Sequence, residues 1–104
     1  MILHLVSFRW IDSVSDADVA NVTTALTGMA AAIPALRSYV AGANLHLRSG
    51  GADYAVAAIV DDAEGLDRYL DHAEHKAVNE KYLSWMIAER SAVQLPILDG
   101  VLNG

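Results

Sequence analysis

From Ile2 to Trp10 large apolar and β-branched residues crowd the chain, the pattern of a strand. On an extended backbone Ile2, His4, Val6, Phe8 and Trp10 share one face, and Leu3, Leu5, Ser7 and Arg9 share the other. The period then changes. Val19, Val22, Leu26, Met29 and Ile33 recur at helical steps. Ser15 and Asp18 form a capping box that opens this helix, and Pro34 stops it at Ile33 by forcing the preceding residue out of the α region. A second strand is expected over 36–47, with a bulge or bend at Gly42, and a third over 53–60. Ser49, Gly50 and Gly51 between them predict a tight hairpin turn. Asp61, with Glu64 three residues on, predicts the cap of a helix over 62–71. A further helix is expected over 73–88, through Val78, Tyr82, Trp85 and Met86. The last strand is expected over 91–97, with Pro96 at an edge or strand end.

The order is βαββαβ in one domain, residues 1–104, with no linker or repeat. It predicts a ferredoxin-like α+β fold, a four-stranded antiparallel sheet with its helices on one face. The other face carries the next inference. The third strand, Tyr54 to Val60, is apolar on both sides, whereas a half-solvated sheet alternates. Its second face therefore needs a cover, and a second subunit is the simplest one.

Composition agrees. Apolar residues make up 54% of the chain and aromatics only 7%. That is more Ala, Val, Leu and Ile than a small monomer needs, and a subunit interface uses the surplus. The net charge of −6 and the scattered Arg and Lys residues argue against nucleic acid or an anionic membrane as partner. There is no cysteine, hence no disulfide and no thiolate nucleophile, which suits a reducing cytoplasm. No apolar run approaches the ~20 residues of a membrane span. A cytoplasmic domain without a membrane anchor is expected.

The chemistry is concentrated in histidines. Tyr69, His72 and His75 stand at three-residue steps where the second helix ends, and would share a face if the chain stays helical. His4 sits mid-strand on an apolar face, where a buried imidazole needs a partner. A histidine near neutral pH can take a proton from carbon or oxygen, and a nearby phenol can donate to a developing oxyanion. Bland roles compete: a histidine at a helix end caps carbonyls, and a strand histidine is commonly a satisfied core residue. A metal site is disfavoured, because His72 and His75 lack the i, i+4 spacing of the zinc-binding HExxH helix. Gly50 and Gly51 precede no helix that could cradle phosphate.

Met1-Ile-Leu-His4-Leu-Val-Ser-Phe-Arg-Trp10, Ile33-Pro34 and Tyr69-Leu-Asp-His72-Ala-Glu-His75 together resemble the stress-responsive A/B barrel (Dabb) domain family over nearly the whole chain. The family's tyrosine-x-x-His-Pro-x-His becomes Tyr69, His72, Ala73 and His75, so the proline is missing. The resemblance implies a homodimeric α+β barrel, with a cavity between each sheet and its helices. The family's best-understood enzyme relative, the plant polyketide cyclase olivetolic acid cyclase, works without metal or organic cofactor. By that likeness His75 is the general base, Tyr69 the orienting hydroxyl, and His4 and His72 substrate-binding residues. The implied function is a cofactor-independent cyclase or isomerase acting on a carbonyl-rich small molecule. Two alternatives stay open: a non-catalytic stress-responsive dimer that binds small apolar ligands, and a cofactor-free monooxygenase.

Overall fold

A computed structural model of the protein describes residues 1–98. The strands are β1 (Ile2–Trp10), β2 (Ser38–Ala43), β3 (Tyr54–Val60) and β4 (Ile87–Pro96). They form one antiparallel sheet in the order β2-β3-β1-β4. The helices are α1 (Asp16–Ala31), α2 (Ala63–Leu70), α3 (Ala73–Val78) and α4 (Ser84–Met86), and a π-helical stretch, Asn79–Leu83, joins the last two. The fold is α+β and ferredoxin-like. No described helix is long and apolar enough to cross a membrane.

The expected barrel is corrected by the topology. The sheet is open, with β2 and β4 as its two edges. Neighbouring strands turn by roughly 20–25°, so four of them leave their outer strands far from pairing with each other.

The apolar pattern explains the layers. Val6 and Phe8 of β1 and Tyr54, Val56, Ala58 and Val60 of β3 pack with Val22, Leu26 and Met29 of α1 to make the core. Ser15 caps α1 as expected, accepting from the Asp18 amide at 3.1 Å while the Asp18 carboxylate accepts from the Ser15 amide at 2.9 Å. Other expectations were displaced by tertiary contacts. Helix α1 ends at Ala31, two residues before Ile33. The Asp62 carboxylate caps α2 by accepting from the Gly65 amide at 2.8 Å. Asp61 instead takes a two-pronged pair from Arg37, at 3.0 and 2.7 Å. Strand β2 stops at Ala43, and pairing runs through Gly42 without a bulge. A longer loop leads on to β3, in which Asn44 accepts from the His46 amide at 2.8 Å and Gly50 and Gly51 take positive φ. The irregular register lies in the β1–β4 pairing, where Arg9 meets Glu89 but Trp10 meets Ile87, leaving Ala88 of β4 as the extra residue.

The last helical segment departs most from its pattern. A π turn holds an extra residue and so rotates the side chains beyond it about the helix axis. Leu83 and Met86 are thereby buried, while Trp85, expected on the apolar stripe, is 44% exposed. Strand β4 begins at Ile87, earlier than its residues suggest, because Ile87 pairs with Trp10 of the central strand.

Candidate functional site

Between the inner face of the sheet and the α2–α3 segment lies a cavity of about 170 Å³. Strand β1 delivers His4, which is 6% exposed and sits in the central strand. Helix α2 delivers Tyr69, and α3, starting afresh after Asp71 and His72, delivers His75. The three rings meet: Tyr69 lies edge-on to His75 with centroids 5.0 Å apart, and edge-on to His4 at 6.2 Å.

The hydrogen bonds set the tautomers. His75 Nδ1 is 3.0 Å from the Leu70 carbonyl. A carbonyl only accepts, so Nδ1 carries the hydrogen and the neutral ring keeps its lone pair on Nε2. The Gln94 amide donates to His4 Nδ1 at 2.9 Å, which makes neutral His4 an Nε2–H donor. Burial lowers the pKa of both rings. His75 also lowers that of His4, and the positive charge of Arg90 lowers that of His75, against opposing contributions from the Leu70 carbonyl and Asp71. Both imidazoles are therefore neutral at pH 7. Burial has the opposite effect on the phenols, raising the pKa of Tyr69 and, far more, that of Tyr39.

Tyr39 and Arg90 carry no sequence signal of their own. Tyr39, on the inner face of β2, stands edge-on to Tyr69 with centroids 6.2 Å apart. Its hydroxyl is buried without a protein hydrogen-bond partner among the described residues. Arg90, opposite Phe8 in the β1–β4 ladder, lines the cavity with its guanidinium 5.5 Å from the Phe8 ring. Neither belongs to a motif. Only strand register shows that they face the histidines.

His72 does not join this group. Its Nδ1 accepts from the Glu74 amide at 3.1 Å, capping α3. It borders a separate groove with Arg37, Asp61 and Arg68. Without the family's proline, the chain still breaks between α2 and α3, and this cap begins the new helix. Among the described residues no three His, Asp or Glu side chains gather as a metal site would require.

A neutral base, a histidine N–H and two protonated phenols around a small, mostly apolar cavity can hold a carbonyl compound and move a proton on it.

The chain is 33% identical over 94 residues to an uncharacterized protein of Streptomyces coelicolor, covering 86% of this chain and 97% of that one. It is 42% identical to a dimeric ferredoxin-like protein of unknown function from Thermobifida fusca, with a TM-score of 0.86 over 92% of this chain and 90% of that structure. A hydroxynitrile lyase from Passiflora edulis shares the fold at 10% identity, with a TM-score of 0.79 over 97% and 96% of the two chains. The stress responsive A/B barrel domain matches residues 2–95, and the chain belongs to that family.

Proposed function

We propose that the protein is a cofactor-independent acid–base catalyst acting on a small carbonyl compound. The observation that carries this reading is the hydrogen bond from His75 Nδ1 to the Leu70 carbonyl, which leaves Nε2 as a base beside the cavity. In this mechanism Nε2 takes a proton from the carbon next to the carbonyl. The enolate oxygen gains hydrogen bonds from the Tyr69 hydroxyl and from His4 Nε2–H, and the imidazolium returns the proton to the same or another carbon. Isomerisation uses those steps. In cyclisation of a short polyketide-like chain, as in olivetolic acid cyclase, the enolate carbon instead attacks a second carbonyl carbon of the same molecule, and the imidazolium returns its proton to the alkoxide oxygen so formed. The likeness to a hydroxynitrile lyase supports the fold alone.

The direct test is deuterium uptake from heavy water at the α-carbons of methyl acetoacetate and related diketones, followed by NMR. The wild type should exceed buffer, and His75→Gln should lose about 10²–10⁴ of the rate with little change in melting temperature. Equal exchange in wild type and variant would sink the assignment. The apolar walls, among them Val6, Leu26, Val56 and Leu83, favour a second reading, a binder of small apolar ligands. Tight binding of such ligands with no exchange on any carbonyl probe would select it.

The working unit in this proposal is a homodimer, in a reducing compartment that suits a chain without cysteine. The outer face of the sheet exposes Leu5, Val40, Val93 and Leu95, at 37, 65, 45 and 44%. The Thermobifida fusca relative is dimeric, which supports a second copy as the cover. Val93→Asp should give a monomer by sedimentation, and an unchanged mass would remove this face from the interface.

A further inference from the structure

Arg90 is an exposed cation at the rim of a mostly apolar cavity. Its immediate neighbours do not explain it. Arg9 pairs with Glu89 at 3.5 Å and Arg37 with Asp61 at 2.7 Å, but Arg90 has no carboxylate within ion-pair distance among the described residues. It makes one long hydrogen bond to Asn79 Oδ1, at 3.4 Å, and lies over the Phe8 ring. Three of its surroundings, Asn79, Phe8 and His75, line the same cavity.

The strand register gives the spacing. On the inner face of β4, Arg90, Ala92 and Gln94 stand opposite Phe8, Val6 and His4. Four steps along the strand separate Arg90 from the Gln94–His4 pair, about 13–14 Å of backbone. The residue between them is alanine, whose short side chain leaves the space open. At about 170 Å³ the cavity is below the ~300–1,000 Å³ of drug-sized sites. It suits a molecule of about one ring. The Tyr39 hydroxyl, on the same lining beside Tyr69, adds a further polar group to the wall.

We propose that the site is built for a small carboxylate-bearing carbonyl compound, its carboxylate held by Arg90 and Asn79 and its carbonyl oxygen by the Tyr69 hydroxyl and His4 Nε2–H. This names a substrate class for the acid–base reading and rests on that reading for turnover, although the charge preference stands on Arg90 alone. A guanidinium grips a carboxylate through paired N–H donors, and the apolar Phe8 ring holds its plane. An anion close to His75 also offsets the repulsion that Arg90 exerts on the imidazolium formed during proton transfer.

The probes are salicylate and salicylamide, similar in size and differing in charge, titrated calorimetrically into the full-length protein, with amide NMR shifts locating the site. Wild type should bind salicylate about ten- to a hundredfold more tightly, the range of a charge-assisted hydrogen bond, with shifts at Asn79 and Arg90. Arg90→Gln should equalise the two ligands, Arg90→Lys should keep part of the preference, and Arg9→Gln should leave it intact. His75→Gln should keep the preference while losing exchange, so failure of the base reading is distinguishable from failure of this one. Equal affinities in wild type, no salicylate binding, or a preference that survives Arg90→Gln would each overturn the proposal.

Discussion

The helix α1 and the segment from α2 to α4 cover the same sheet in opposite ways. Helix α1 is one unbroken run of sixteen residues, with a reciprocal cap and a buried stripe of Val22, Leu26 and Met29. The other segment is broken at Asp71–His72, restarted, and loosened by a π turn at Asn79–Leu83. Yet the broken segment carries Tyr69, His75 and Asn79. A continuous helix satisfies its backbone internally and presents a regular face suited to packing. Each interruption frees a carbonyl or turns a side chain out of register. The Leu70 carbonyl, near the end of α2, is the group that orients His75. Regularity serves the core here, and irregularity serves the site.

This contrast can be attacked from both sides. The largest stability effect is expected from Met29→Ala in α1, where a 2% exposed side chain is lost. It should cost about 2–5 kcal/mol in denaturant unfolding while the remaining folded protein keeps its ligand affinity. A comparable stability loss from His75→Gln would erase the distinction. Next come the caps. Ser15→Ala should cost about 1 kcal/mol, and His72→Ala about 0.5–1.5 kcal/mol. Neither should alter exchange chemistry, and a large turnover loss in His72→Ala would return that residue to the site.

The mildest perturbation is acid. His4 and His75 have folded-state pKa values below the ordinary value of about 6.5. Between those two values the unfolded chain binds more protons, so stability rises with pH. Stability should therefore be complete above pH ~6.5 and decline as the pH falls through that value toward the folded pKa. The rate should fall only lower, as His75 itself protonates. A melting temperature flat across this window in wild type, or equally sloped in the His4→Gln/His75→Gln double variant, would assign the acid sensitivity elsewhere.

Much of the candidate site is legible without the fold. Tyr69 and His75 stand out through their spacing, and His4 through its place on an apolar face. His72 is equally prominent and lies in another groove, because the break after α2 turns it into a cap. Sequence spacing assumes continuous helix across a point where the helix ends. Tyr39 and Arg90 give no signal, since a lone tyrosine and a lone arginine in strands are commonplace. Asp61 looks like the cap of α2 but is held by Arg37, twenty-four residues earlier, leaving Asp62 to cap.

Local interactions are written in neighbouring residues, and so the sequence by itself determined the four strands, the capped α1, the element order and the family. Its period of two in β1 and its period of three to four in α1 each reflect backbone geometry that needs no distant partner. Tertiary structure alone decided that the sheet stays open, where β4 begins, and which side chains share the cavity. His4 and Gln94 are ninety residues apart and meet only because β1 is central and pairs with β4. Such pairings depend on how the chain crosses over and on register, and a one-residue slip in β4 would turn Arg90 and Gln94 to the opposite face.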